Sequence, residues 1–403
     1  MDIDNLGAIA QDCWPSGPSQ FLDTLAMRAK VEVFRLASLL TDPVCKVHEL
    51  FRRYCLVDRV TPQASLVERV CNKVAICAAA TAYAFIAAFT TIPAVAIRAI
   101  ASRLQKDPYI YLGDQSVAKN LPLDRQFTML SWNVCLVKGG YTISDGGVSP
   151  AHTRIAAIAK KIIDTNADVT CLYEAYDVKD CMYLREQLKS QGYGHFYFNM
   201  GSKGVGPSSG IFVASKYSIA NPEFTLFPKD TLVGRTKTAG KGVFSFDLES
   251  HGNSFARIHA THLQHSERSA FPTPEELNAR KMEMDIIVDK VNHTQGKCSI
   301  VTGDLNLDDS EYYASDWAHR FSRGNCHFTE KTWGGDEFCA LMTNKPISKP
   351  LNLDHTIVAI DPQSPSRYSL DTRLIGTGYD PAVYKEGALA LSDHDGLLSV
   401  VGV

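Results

Sequence analysis

Short uncharged runs that stop on a polar residue recur from Phe127 to the C-terminus, and no other feature limits the fold so tightly. "FTMLSW" stops at Asn133, "VTCLY" at Glu174 and "SIVTG" at Asp304. Runs of this length, rich in β-branched and aromatic residues, read as buried strands. "GIFVAS", "VFSFDL", "ARIHATHL", "LDHTIV" and "GLLSVV" read as further strands. Helical stretches separate them. Ser149-Pro150 opens one by N-cap and first-turn preference, with Ile155, Ile158, Ile162 and Ile163 on its apolar face. Thr273-Pro274-Glu275-Glu276 opens another as a capping box. Many strands with interspersed helices and no internal repeat predict a layered α/β or α+β sandwich.

The polar stops are the candidate functional residues. Residues two apart on a strand share a face, so Asp304 and Asn306 are expected to project together while Leu305 and Leu307 pack the other way. Asn133, Glu174, His262, Asp354, Asp393 and His394 stand at the other strand ends. Each alone reads as a turn or surface residue. Two histidines, several carboxylates and two amides in this order are more than turn chemistry needs.

Ahead of this region lies a different texture. Val74 to Ile97 carries no charge, and as a helix it would reach roughly 36 Å, enough to cross a bilayer core. Its Ala and Thr content and Pro93 leave three readings open: a membrane span, a shallow re-entrant hairpin broken near Pro93, or a buried hairpin of a soluble domain. "QFLDTLAMRAKVEVFRLASLL" upstream has amphipathic spacing. Arg52, Arg53, Arg59, Arg69 and Lys73 before the run, and Arg98, Arg103 and Lys106 after it, suit anionic phospholipid headgroups. The division expected is an N-terminal helical, membrane-associating region over 1–106, a linker over 107–126 and a catalytic domain over 127–403. A net charge of −3 without Lys/Arg runs disfavours a nucleic-acid partner. Eleven scattered cysteines with no C-x-x-C pair read as reduced thiols, so the 127–403 domain is expected on the reducing, cytosolic side of a membrane.

The ordered set "SWN…YE…THLQ…GDLN…LDH…SDH" resembles the endonuclease/exonuclease/phosphatase superfamily, the deoxyribonuclease I-like fold. The resemblance implies an α+β, four-layer αββα sandwich and a Mg2+-dependent enzyme that cleaves a phosphate ester with water. It implies that Glu174 is the principal Mg2+ ligand, since a hard cation takes carboxylate oxygen, and that Asn133 and Asp393 support the metal. His394 would be the general base, an imidazole whose ordinary pKa of about 6.5 suits the task, with Asp354 fixing its tautomer. His262, Asp304 and Asn306 would bind phosphoryl oxygens or orient the water. Two positions depart from the pattern: His355 follows Asp354, and Asp395 follows His394.

Within the superfamily, "WNVCLV" at 132–137, "SSGIFVASKYSI" at 208–219, "GKGVF" at 240–244, "HATHLQ" at 259–264 and "TGDLNLD" at 302–308 look like the membrane-bound neutral sphingomyelinases. That branch implies a membrane substrate, sphingomyelin, cleaved to ceramide and phosphocholine. It also implies an activating Asp–Lys pair on a loop near the site, which Lys241 and Asp230 match. The competing readings are another superfamily phosphoesterase (a nuclease, an inositol-phosphate phosphatase or a different phospholipase C) and a non-enzymatic membrane-anchored module.

Overall fold

The computed structural model describes residues 18–60, 63–103, 107–114, 119–122, 125–143, 146–203, 205–267, 271–294, 297–333, 350–361, 367–377 and 390–403. Two long helices, α1 (Pro18–Val60) and α2 (Leu66–Arg103), lead the chain and pack on each other as a hairpin. Then come β1 (Ile110–Gly113), β2 (Gln126–Asn133), β3 (Tyr141–Ile143), β4 (Gly146–Val148), α3 (Ala151–Thr165), β5 (Val169–Tyr173), α4 (Val178–Lys189), β6 (His195–Phe198) and β7 (Phe212–Ser215). β8 (Ser218–Leu226), β9 (Gly242–Ser250), β10 (Asn253–His262), α5 (Pro274–Asn292), β11 (Cys298–Asp304) and α6 (Asp309–Ala314) follow. The chain closes with β12 (Phe321–Ser322), β13 (Asn325–Cys326), β14 (Asp354–Ala359), β15 (Ser369–Ile375) and β16 (Gly396–Gly402).

The strands form two sheets that share a core. One has the order β1-β6-β7-β5-β2-β16-β15-β13 and the other β12-β14-β11-β10-β9-β8; β3 and β4 form a separate hairpin. Between the sheets, Phe127, Met129, Cys171 and Val213 of the first meet Phe244, Phe246, Ile258 and Ile300 of the second. The outer face of the first sheet is covered by α3 and α4, through Ile155, Ile158, Ile162, Leu184 and Leu188. The outer face of the second is covered by α5 through Met284 and Ile287. This is the expected four-layer αββα sandwich. The capping box forms as read: Glu276 N–H donates to Thr273 Oγ1 and Thr273 N–H to the Glu276 carboxylate.

Registry brings the polar stops together. His262 lies beside Asp304 on the parallel pair β10–β11, and Asp304 opposite Asp354 on the antiparallel pair β11–β14. Asn133 lies beside Tyr173, the residue before Glu174, on β2–β5. Gly303 allows the close approach of β10 and β11, because a Cβ there would sit 1.8 Å from the Thr261 carbonyl oxygen.

Four local expectations change. The stretch 107–126 is more than a linker, since Ile110–Gly113 is an edge strand paired with β6. α3 begins one residue later than expected, with Pro150 at the cap position, because the Ser149 hydroxyl accepts from Arg52 Nη2 (3.2 Å) instead of capping the helix. Pro93 does not break α2, which runs on to Arg103 with Ala94 and Ala101 buried beyond the proline; packing there offsets the single lost backbone hydrogen bond. Nor is Val74–Ile97 a buried hairpin. Val74, Phe85, Phe89 and Ile92 are each more than 60% exposed, whereas α1 buries Val31 and Phe34 against the sandwich.

Candidate active site

Asn133 ends β2 fully buried, and its amide joins two carboxylates. Nδ2 donates to Asp304 Oδ2 at 2.9 Å and to Glu174 Oε1 at 3.2 Å, while Oδ1 accepts from Cys135 N–H at 3.0 Å. Glu174 follows β5 in the left-handed region, φ 62°. Non-glycine residues hold that conformation at a cost, and it recurs at functional sites. Here it turns the carboxylate out of the strand toward Asn133. Gly210 makes room: Ala175 N–H donates to its carbonyl, and a Cβ at Gly210 would stand 3.0 Å from Glu174 Cα.

His394 is held from both ends. Its Nδ1–H donates to Asp354 Oδ2 at 2.7 Å, leaving Nε2 3.7 Å from Asp304 Oδ2. Burial opposes charge on the ring, but the carboxylates of Asp354, Asp304 and Asp393 outweigh it and hold the pKa well above the ordinary histidine value. His262 is the opposite case. Burial, then the Lys241 charge, hold it well below that value, so the ring is neutral. Its Nε2 lies 3.4 Å from Asp304 Oδ2, and its buried Nδ1 has no hydrogen-bond partner among the described residues. Asp304 therefore sits at the centre, within reach of Asn133, His262 and His394, and burial raises its pKa.

Asp304 and Asn306 are linked otherwise than as two extended residues. β11 stops at Asp304, Asn306 is left-handed (φ 52°), and its N–H donates to Asp304 Oδ1 at 3.0 Å, so the carboxylate caps its own turn. Asn306 Nδ2 donates to the Leu263 carbonyl (3.3 Å), while Leu305 and Leu307 are buried as read. Lys241 is buried and donates to that same carbonyl. Burial brings its pKa down to about 8, with Glu283, Asp304 and Glu174 acting against the fall. Asp230 is not brought to it: it lies exposed on a 3-10 turn over Lys229–Thr231, and no ion pair joins the two residues. The two departing positions are structural. His355 Nε2–H is shared between the carbonyls of Leu307 (2.7 Å) and Asn352 (3.1 Å), and Asp395 accepts from Thr377 N–H (2.7 Å).

Two supporting residues were not legible in the sequence. Thr332 accepts from the N–H groups of Leu353 (3.0 Å) and Asp354 (3.1 Å), and Trp132 Nε1–H donates to the His394 carbonyl (2.8 Å). Thr332 carried no signal, as a loop residue far along the chain from both partners.

Two groups of side chains could hold a cation. Ligand atoms of Asp304, Asp354 and His394 lie within 4.8 Å of one another, but the His394–Asp354 hydrogen bond already occupies two of them. Glu174 and Asp393 suit a hard divalent cation better. Burial first, and the Asp393 charge second, push the Glu174 carboxyl up to about 7, the behaviour of crowded carboxylates that a cation relieves.

The Endonuclease/Exonuclease/phosphatase family matches residues 130–394. The chain belongs to this family. Among solved structures it is similar to a beta toxin variant of Staphylococcus aureus with bound magnesium ions, at 20% identity and TM-score 0.56, covering 68% of this chain and 99% of that one. It is also similar to sphingomyelinase C from Streptomyces griseocarneus (16%, TM-score 0.51, 68% and 99%) and to a humanized D. rerio TDP2 (17%, TM-score 0.51, 69% and 100%). These likenesses establish the deoxyribonuclease I-like fold of the family. No curated protein matches the chain.

Proposed function

We propose that this family member is a Mg2+-dependent phosphodiesterase that hydrolyses sphingomyelin in a membrane to ceramide and phosphocholine. The observation that carries the lipid substrate is α2, which keeps an apolar, uncharged run exposed on a hydrolytic sandwich. Sphingomyelin presents its phosphodiester at a bilayer surface, so an enzyme fixed there meets its substrate without extracting it. The sphingomyelinase C structure named above supports a sphingomyelin substrate on this fold, and the beta toxin structure, with its bound magnesium ions, supports the metal.

The chemistry follows from the residues. Glu174 and Asp393 would hold Mg2+, which when bound offsets charge on the phosphate, strengthens its electrophilicity and offsets the carboxylate charge that holds a proton on His394. Asp354 fixes the neutral ring of His394 with Nε2 free of it, so Nε2 takes the proton of the attacking water as the new P–O bond forms. The P–O bond to ceramide breaks, and the ceramide oxygen leaves with a proton from solvent. Asp304 orients that water from beside Nε2. Neutral His262 and the second amide hydrogen of Asn306 donate to phosphoryl oxygens as their charge grows, while Asn133, whose two amide hydrogens go to Asp304 and Glu174, holds those carboxylates in place. Lys241, which forms no ion pair with Asp230, immediately precedes β9, the strand paired with the one that His262 ends, and adds positive charge near His262.

The test is phosphocholine release from sphingomyelin vesicles, with Mg2+ and with EDTA, beside a DNA-nicking assay. Release that EDTA abolishes and Mg2+ restores is expected, with DNA left intact. Full release in EDTA overturns the metal assignment, and DNA nicking without phosphocholine release favours the nuclease reading.

A further inference from the structure

We infer that Arg154 is a positioning residue that holds the two halves of the active site at one separation. The inference rests on the hydrolase reading above and concerns the same site. Arg154 stands in the first turn of α3 and is completely buried. Its guanidinium contacts are all to backbone carbonyls: Nε to Ser149 (2.9 Å), Nη1 to Val134 (3.1 Å) and Leu391, and Nη2 to Cys135. Val134 and Cys135 directly follow Asn133, and Leu391 precedes Asp393 and His394 by two and three residues. Between the two loops, Ser392 Oγ–H donates to the Asn133 carbonyl at 2.6 Å.

Among the described residues no carboxylate forms an ion pair with Arg154. A buried charge without a counter-ion persists only where hydrogen bonds satisfy it. Here carbonyl dipoles from two separate loops do so, and the planar fork fixes their directions together. A lysine offers one point charge and could follow one loop, not both. The amide of Asn133 and the carboxylate of Asp393 would then drift relative to His394, and displacements near 1 Å cost on the order of 10²-fold in rate.

The experiment compares full-length wild type, Arg154→Lys and Arg154→Gln in lipid nanodiscs. It reads kcat and KM for phosphocholine release, Mn2+ affinity by electron paramagnetic resonance, and the thermal midpoint without metal. Arg154→Lys is expected to lose kcat on the order of 10²-fold with KM unchanged, and to bind Mn2+ about tenfold more weakly. In an Asn133→Ala background the same substitution should cost far less, because both act through one geometry. Wild-type kcat and Mn2+ affinity in Arg154→Lys, or losses that simply multiply with those of Asn133→Ala, overturn the inference. Should neither variant fold, the guanidinium nitrogen resonances of Arg154 in the wild type decide: they must shift during a Mg2+ titration, and unmoved resonances overturn it. A wild type that binds no Mn2+ and releases no phosphocholine overturns the hydrolase reading itself, and the inference with it.

Discussion

At the scale of single residues, burial gives histidines of one chain opposite characters. His394 is surrounded by carboxylates that favour a proton, while burial reinforced by neighbouring positive charge keeps His262 and His259 neutral. His394→Ala is expected to lose turnover on the order of 10²–10⁴-fold, the range of a general base. A variant that keeps a tenth of wild-type kcat would remove His394 from that role. His259 makes a separate prediction about stability. Its ring bridges Ser245 Oγ (2.8 Å) and Ser299 Oγ (3.2 Å), and burial, aided by Arg257 and Lys290, lowers its pKa to about 3. The unfolded chain takes up a proton near pH 6.5 that the folded chain refuses. Stability is thus complete above pH 6.5 and falls as pH drops toward 3, by roughly 3 kcal/mol at pH 4. His259→Gln can still contact both serines and does not titrate, so its melting temperature should depend less on pH between 7 and 4. Identical pH dependence in both proteins refutes the assignment.

At the scale of elements, α1 and α2 divide two tasks that the sequence ran together. α1 is docked: Val31 and Phe34 enter the core outside the first sheet, and Lys138 donates to the Ser38 carbonyl (2.6 Å) and pairs with Asp42 (2.5 Å). α2 has Leu66, Val67, Val74, Phe85, Phe89 and Ile92 exposed along its length. A substitution in each should therefore act differently. Phe34→Ala empties a buried site and is expected to destabilise the protein by about 3–4 kcal/mol. Phe89→Ala should leave the melting temperature in detergent unchanged and weaken only membrane association. Equal effects on stability would mean that α2 is packed as firmly as α1.

At the scale of the whole molecule, the sandwich carries its site at one end of both sheets and the helical hairpin on the α3–α4 side. The full chain should float with liposomes and resist extraction by high salt, because insertion rests on apolar area and not on charge. Elution with salt alone would show a peripheral, electrostatic attachment. The sequence by itself determined the strand series, the sandwich and the order of its polar stops, because a strand buried on both faces must be a continuous apolar run and a polar residue can enter only where it ends. It also marked the capping box and Glu174, Asp304 and His394, since those signals are local. Tertiary structure alone decided the rest. Asp304 became the centre of the cluster through register between β10, β11 and β14, and Thr332 became a support of Asp354 across a long separation in the chain. Lys241 turned to Leu263 and not to Asp230. Arg154 shows the limit best. An arginine beside the apolar stripe of Ile155, Ile158 and Ile162 is visible in the sequence, but beyond Ser149 just ahead of its own helix the carbonyls it holds come from two separate loops. Only folding brings those loops to one guanidinium, because hydrogen-bond partners in space leave no periodicity along the chain.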